Sequence, residues 1–410
     1  MSSMNFLNKL LDGVAVEWRA LEEVAEYVRG LVYNKSSEST DGEGYKVLRA
    51  NNITLAGNSL NINDLKVVNF DTKVKKSQKL YKNDILISAA SGSREHVGKV
   101  AFIHEDIDFY FGGFMGVVRC GVKINPRFLF HIFTSDIFKK YLDEMLNSST
   151  INNLSSKVMG TFEIPIPCPD NPKKSLEIQA EIVHILDAFT ALTTELTTEL
   201  TTELTARKKQ YNHYRDQLLR FEDGEVEWKT LGELAENLDF KRKPITSGLR
   251  EAGDIPYYGA SGIVDYVKDY IFDGDLLLVS EDGANLLARN TPIAFSISGK
   301  TWVNNHAHVL KFDTYAERRF VEYYLNSIDL TPYISGAAQP KLNKKNLESI
   351  RIPNPLPTQK EQIVSILDKF DALTSSITEG LPREIELRQK QYTYYRDLLL
   401  SFPKQEAVEV

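Results

Sequence analysis

The sequence predicts an α+β protein in which two mixed α/β domains are separated by two long antiparallel helices, with a pseudo-twofold, circular arrangement. Three observations predict this. The 410 residues exceed what one hydrophobic core usually serves. A forty-residue helical segment occurs twice. The segments that enter and leave the globular stretches recur as well.

Phe6 to Gly13 (FLNKLLDG) is similar to the later junction Gln217 to Gly224 (QLLRFEDG), as expected of a ring of two repeats cut at one junction. Val16-Glu17-Trp18-Arg19-x-Leu21-x-Glu23-x-Ala25-Glu26 then recurs, with Lys for Arg, from Val226 to Glu236 at a shift of 210. A first domain over 1–170 contains short apolar runs at Asp84–Ser88, Lys99–Ile103 and Gly116–Val122, punctuated by Gly, Asn and Asp turns. It leaves through Phe162 to Pro169 (FEIPIPCP), where alternating prolines forbid helix. A second domain over 223–357 has runs at Asp275–Ser280 and Pro292–Ile297 and leaves through Ile350 to Pro357 (IRIPNPLP). Its Phe272–Val279 can be matched to Tyr81–Ser88 at a shift of 191.

The long helices occupy 171–222 and 358–402, with a short tail at 403–410. Ile182–Phe221 and Ile363–Phe402 align without a gap at a shift of 181, and 22 of 40 positions are identical. Apolar residues recur every three or four positions: Leu186, Phe189, Leu192, Leu196, Leu200, Leu204, Tyr211, Tyr214 and Leu218 in one copy, and Leu367, Phe370, Leu373, Ile377, Leu381, Ile385, Tyr392, Tyr395 and Leu399 in the other. Forty helical residues span roughly 60 Å, so the stripes must bury against each other or a partner. The first copy contains LTTELTTELTTELT, whose four-residue unit drifts by about 40° around the helix per repeat. The second has Gly380-Leu381-Pro382 there, which predicts a kink or break with Pro382 in the restarting turn.

Composition is that of an ordinary soluble protein, 42% hydrophobic and 26% charged. Two cysteines exclude a disulfide framework, and the absence of a signal segment or an eighteen-residue apolar run points to the cytoplasm. The net charge of -7 argues against a free-standing nucleic-acid binder. Catalytic motifs fail on inspection. Ser298-Gly299-Lys300-Thr301 lacks the Gly that a phosphate loop needs at Ala294. Asp223 with Glu227 and Lys229 mimics nuclease spacing but repeats a structural corner, Phe111–Gly116 lacks methyl-donor spacing, and no adenine-methylating tetrapeptide occurs. His306 and His308 have no neighbouring carboxylate or cysteine in sequence, so no metal site is expected.

Two diverged domains on a repeated helical ruler suit two half-sites spaced along duplex DNA, since one LTTE unit advances a helix by about 6 Å. The chain resembles the specificity subunits of type I restriction-modification enzymes. The resemblance rests on the duplicated IxxILDxFxALT…RxxQYxxYRDxLLxF helices, the VEWxxLxELA openings and the LTTE tandem. In the second domain it rests also on Ile255–Gly262, Phe272–Asp275, Asp282–Ala284 and Trp302–Leu310. The first domain keeps only Tyr45–Leu48 and the Asp84 run.

The resemblance implies a non-catalytic subunit whose domains are target-recognition domains, each reading half of a bipartite, asymmetric site. The helices would set the gap and dock two methyltransferase subunits, through Leu192, Leu196, Leu200, Leu204, Tyr211, Tyr214, Arg215, Tyr392, Tyr395 and Arg396. S-adenosylmethionine, ATP and Mg would sit on the methyltransferase and translocase partners, with no cofactor on this chain. Expected DNA contacts are polar turn residues: Arg49, Asn51, Asn52, Ser91, Ser93, Arg94 and His96 in the first domain. In the second they are Tyr258, Ser261, Asp282, Asn285, Arg289, Asn304, Asn305, His306 and Lys341, with Lys241, Arg242, Lys243, Lys344 and Lys345 on the backbone. The alternative is a two-headed protein scaffold without DNA specificity.

Overall fold

Alternating prolines explain how each domain closes. In the computed structural model, which describes residues 4–54, 57–147, 153–222, 224–336, 339–376 and 378–404, β1 (Val16–Ala20) pairs antiparallel with the proline-rich exit strand Glu163–Pro167. Asp223, Ile377 and the tail beyond Lys404 lie outside the described residues. The Cys168 N–H donates to Ala15 O and the Leu21 N–H to Phe162 O, so even-numbered exit residues face β1. Pro165 and Pro167 fall on the odd positions, where a missing N–H costs no ladder bond. The second copy, Glu227–Thr230 against Arg351–Asn354, places Pro353 the same way. The two recurring flanks are thus partners of one another.

Two compact units result, one comprising the residues up to Thr198 together with those from Glu386 onward, the other Glu199–Ile385. In the first, the remaining strands are β2 (Ala25–Arg29), β3 (Tyr45–Leu48), β4 (Lys66–Val68), β5 (Lys79–Leu80), β6 (Ile85–Ser88), β7 (Val100–Phe102), β8 (Ile107–Phe111) and β9 (Met115–Cys120), with β10 the exit strand. They form sheets ordered β2-β9-β6-β7 and β4-β3-β8-β5. Alternation along β6 divides the core. Ile85 and Ile87 join Phe128, Ile132 and Phe162 on the helical side, while Leu86 joins Leu48, Met115 and Val117 between the sheets.

The second unit has β11 (Glu227–Thr230), β12 (Glu236–Asn237), β13 (Ala252–Gly259), β14 (Gly262–Val267), β15 (Phe272–Asp273), β16 (Leu276–Ser280), β17 (Ala294–Ile297), β18 (Lys300–Val303), β19 (Ala307–Lys311) and β20 (Arg351–Asn354). Its sheets, β12-β19-β16-β17 and β14-β13-β18-β15, repeat the first unit's orders, including the single parallel pairing, β3 with β8 and β13 with β18. The ladders correct the sequence match. Ser88 faces Met115 and Ser280 faces Ala307, so these strands superpose at a shift of 192 rather than 191. A one-residue slip would exchange the two faces of the strand. Ser298 and Gly299, the latter at φ +77, pass the chain from β17 in one sheet to β18 in the other, and no helix follows, which removes the phosphate-loop resemblance.

Helices α1 (Met4–Leu11), α2 (Pro126–Phe133), α3 (Asp136–Asn147) and α4 (Ser156–Gly160) precede α5, an unbroken helix over Pro172–Leu218. The threonines of the tandem satisfy their hydroxyls within α5: Thr194, Thr197, Thr198 and Thr205 each donate to the carbonyl four residues back. The second unit contributes α6 (Leu231–Leu234), α7 (Asn285–Ala288), α8 (Tyr315–Ser327), α9 (Lys344–Glu348), α10 (Pro357–Ser375) and α11 (Gly380–Leu399). The chain leaves helix at Ser376 and re-enters at Gly380, with Pro382 in the first turn, so the expected interruption is a full break. Gly380 sits at φ +81, and a Cβ there would collide with Ala372 O.

Each unit pairs the start of one long helix with the end of the other, running antiparallel. In the first unit Phe189 stacks on Tyr395 at 5.9 Å and Thr190 Oγ1 meets Tyr392 Oη at 2.9 Å. In the second, Tyr214 stacks on Phe370 at 5.6 Å, which is the same contact in the other copy. Phe402 packs on Phe128 at 6.0 Å as Phe221 packs on Phe320 at 6.4 Å. The end of the chain therefore fills in one unit the place that residue 221 fills in the other, as a cut ring requires.

A shared ion pair ties each domain to its helix. Arg127 of α2 reaches Asp187 at 2.9 Å, joined by His131, and Arg319 of α8 reaches Asp368 at 2.9 Å, joined by Tyr323. Burial opposes ionisation of Asp187, but the His131 and Arg127 hydrogen bonds prevail and hold its carboxyl at about 2.

Candidate nucleic-acid interface

Three loops meet at one end of the two central strands of the antiparallel sheet in each unit, held by matching backbone bonds. In the first unit the Ala89 N–H donates to Phe114 O (2.8 Å) and the Leu154 N–H to Ala89 O (2.7 Å). In the second the Glu281 N–H donates to His306 O (2.9 Å) and the Leu342 N–H to Glu281 O (2.7 Å). Ala90 bridges Asn153 as Asp282 bridges Lys341. The loop positions Ala90, Phe114 and Asn153 thus correspond to Asp282, His306 and Lys341.

The expected contact residues divide into two groups on this frame. Asn51, Arg94, Lys241, Lys243, Ser261, Asn305, His306 and Lys341 are exposed, as are Lys344 and Lys345. Arg94 reaches Asp143 at 3.0 Å, His306 Nδ1 meets Asp282 at 2.9 Å, and Lys344 meets Glu348 at 3.6 Å. Ser91, Ser93, His96 and Tyr258 are half-buried, and Tyr258 packs on Phe295.

The other group shapes the loops from inside. Buried Asn52 accepts from the Arg49 N–H and donates to Asn61 O and Asp64 O, closing the turn that carries Asn51. Arg49 is paired with Asp64 at 2.9 Å. Buried Asn304 accepts from the His306 N–H at 2.8 Å, and Asn285 brackets Thr291 with both ends of its amide. Arg289 holds a left-handed φ of +49 at the end of α7, and burial pulls its guanidinium below the usual arginine range. Arg242 is bound to Glu281 at 2.6 Å and to Ala307 O at 2.8 Å. The side-chain amide of Asn52, the amide oxygen of Asn304 and the Arg242 guanidinium are committed to the protein, so these three serve the interface through the loops they hold.

Sequence reasoning missed the core beneath the second unit's loops. His308 was read as lacking a carboxylate partner, and the fold corrects this: its Nδ1 meets Asp239 at 2.6 Å and Glu281 at 3.8 Å, although those residues lie far away in the chain. Burial opposes ionisation of both carboxyls, yet His308 and Arg242 beside Asp239, and Arg242, His308 and Lys341 beside Glu281, hold them below the usual carboxylate range. Ligand atoms of Asp239, Glu281 and His308 lie within 4.8 Å of one another, a spacing that could hold an ion. Arg242 and Lys341 already supply the cations there, at 2.6 and 3.1 Å from Glu281. In the first unit Phe114, 73% exposed, and Asn153 were also missed, because only the ladder aligns them with His306 and Lys341.

Comparison with known proteins assigns the frame. The family description "Type I restriction modification DNA specificity domain" matches residues 14–206 and again 224–387. The chain belongs to this family. The Escherichia coli type I restriction enzyme EcoR124I/EcoR124II specificity subunit is 35% identical over 438 aligned residues, covering 100% of both chains. The Escherichia coli EcoprrI specificity subunit is 35% identical over 388 residues, 92% of this chain and 93% of that one. A solved chain described under "Structural basis underlying complex assembly and conformational transition of the type I R-M system" shares the fold at TM-score 0.65 and 14% identity, covering 94% of this chain and 97% of that chain. As a type I specificity protein, the chain presents two domains of the same family on one polypeptide. Among the described residues, no helix is long and apolar enough to cross a membrane.

Proposed function

We propose that this chain is the sequence-reading, non-catalytic subunit of a cytoplasmic type I restriction-modification complex. Each domain reads one half of a bipartite, asymmetric DNA site. One observation carries the reading: two units with the same backbone frame present different side chains at matching loop positions, Ala90, Phe114 and Asn153 against Asp282, His306 and Lys341. Exposed amides and basic groups such as Asn51, Arg94, Asn305 and Lys341 suit base edges, and Lys241 and Lys243 suit phosphates. The helices set the gap and dock two methyltransferase subunits. S-adenosylmethionine, ATP and Mg belong to those and to the translocase partner. Nothing favours a DNA-blind scaffold.

Methylation sequencing of a host carrying the complete system tests this. A single two-part motif is expected, and methylation without sequence preference would refute the reading. Deleting one LTTE unit shortens α5 by about 6 Å and should change the gap while both half-sites persist; an altered half-site would overturn the role of the helix as a ruler.

A further inference from the structure

The carbonyl of Leu342 and its counterpart Leu154 are each held by a nitrogen-bearing side chain, but from different strands. In the second unit His308 of β19 meets Leu342 O through Nε2 at 2.7 Å. In the first, the Arg29 guanidinium of β2 donates to Leu154 O at 2.9 Å and to Gly113 O at 3.0 Å. The ladder position of His308, opposite Val279, is taken in the first unit by Gly116, opposite Ile87. A Cβ at Gly116 would strike the Tyr27 ring, so no side chain can reach the loop from β9 and the cation comes from the neighbouring strand. The duplicated frame therefore makes the same contact twice with unrelated residues.

That contact lies directly beneath the proposed reading loops. Leu342 follows Lys341 and its N–H is bonded to Glu281, next to Asp282; Leu154 follows Asn153 and its N–H is bonded to Ala89, next to Ala90. We propose that His308 and Arg29 are equivalent positioning residues, latches that hold the last recognition loop of each domain in register with the other two and so set the specificity of that domain's half-site. The inference rests on the DNA-reading function proposed above.

The two latches are braced differently. The His308 ring lies between Asp239 Oδ2 on one side and the Leu342 carbonyl on the other, with Arg242 and Lys341 bound to the neighbouring carboxylates. The Arg29 guanidinium instead spans two backbone carbonyls, those of Leu154 and Gly113.

The test compares methylomes of hosts carrying the complete system with this chain unmodified, with His308→Gln, with Arg29→Met and with Arg29→Lys. His308→Gln should erase the preference at one or more base positions of one half-site and leave the other half intact. Arg29→Met should do the same to the opposite half, and Arg29→Lys, which keeps a cation, should restore it. A uniform loss of methylation with both half-sites unchanged would mean mere destabilisation and would overturn the latch. No motif even for the unmodified chain would instead refute the DNA-reading function. Hydrogen exchange supplies a second readout that needs no DNA: in His308→Gln protection should fall around Lys341–Leu342 and hold around Asn153–Leu154, and in Arg29→Met the reverse. Loss of protection spread over the whole unit in either variant would overturn the latch.

Discussion

In the first unit the meeting loops present Ala90, an exposed phenyl ring at Phe114 and the amide of Asn153; in the second the same backbone positions present Asp282, His306 and Lys341. Beneath them the difference continues. One unit fills the space with Tyr27 and Arg29, the other with an Asp239–His308–Glu281–Arg242 network. Sheet order, parallel pairing and proline register do not differ. A duplicated domain can thus change its rim, and even the residues that brace the rim, while the strands that position the rim remain fixed.

The helix anchors offer the strongest way to break this equivalence. Arg319 is bonded to Asp368, Asp371, Glu322 and Tyr323, with its own side chain 12% exposed, whereas Arg127 serves Asp187 with 22% exposed. Arg319→Met should destabilise the second unit by about 3 kcal/mol because it leaves buried Glu322 and the half-buried Asp368 and Asp371 without their shared cation. Arg127→Met should cost the first unit less, about 1–3 kcal/mol. Denaturant unfolding, followed by hydrogen exchange at α8 and α2, measures both, and equal losses would show that the anchors are energetically interchangeable.

Acid should separate the units next. The Asp187 carboxyl lies at about 2 in the fold, below its unfolded value, so its contribution is present above the unfolded value and is lost as pH falls toward 2. Burial also pulls the His131 imidazole below its ordinary value, outweighing the Asp187 hydrogen bond, so charging it on acidification weakens the fold with the same sign. Tyr323, in the place of His131, is pushed upward by burial and carries no charge to gain in acid. Exchange at α2 should therefore rise with acidification before exchange at α8 does. The reverse order would contradict the assignment.

The smallest expected effect lies in the tandem. Thr194 and Thr198 are exposed and return their hydroxyls to α5, so Thr→Ala at either should raise stability by about 0.5 kcal/mol or less, through helix propensity. A loss of more than 1 kcal/mol in thermal unfolding would contradict this.

Much of this was legible in the chain. The 181-residue shift exposed both long helices, and the Phe189–Tyr395 and Phe370–Tyr214 stacks fall on its matched apolar positions. Strands at Ile85–Ser88, Val100–Phe102 and Leu276–Ser280 lay within the predicted apolar runs. The candidate contacts were less legible. Exposed Lys341 and buried Asn304 read alike as polar turn residues, because sequence records side-chain chemistry and not which way a loop turns it. The strand match slipped by one because Asp84 and Asp275 look equivalent. Asp84 closes a turn with the Tyr81 N–H and binds Arg119, whereas Asp275 sits at the surface beside Arg318.

The sequence by itself determined the duplication, the helical periods, the proline exits and the family, since all of these are local patterns or repeats along the chain. Only the tertiary structure decided that the recurring flanks pair with the proline strands, and that the end of the chain completes the first unit. It alone decided that Asp239, Glu281 and His308 converge under one loop cluster while Arg29 does the same task in the other. Those outcomes depend on hydrogen-bond ladders between residues as far apart as 69 positions or more, and no short-range pattern encodes which strand will lie beside which.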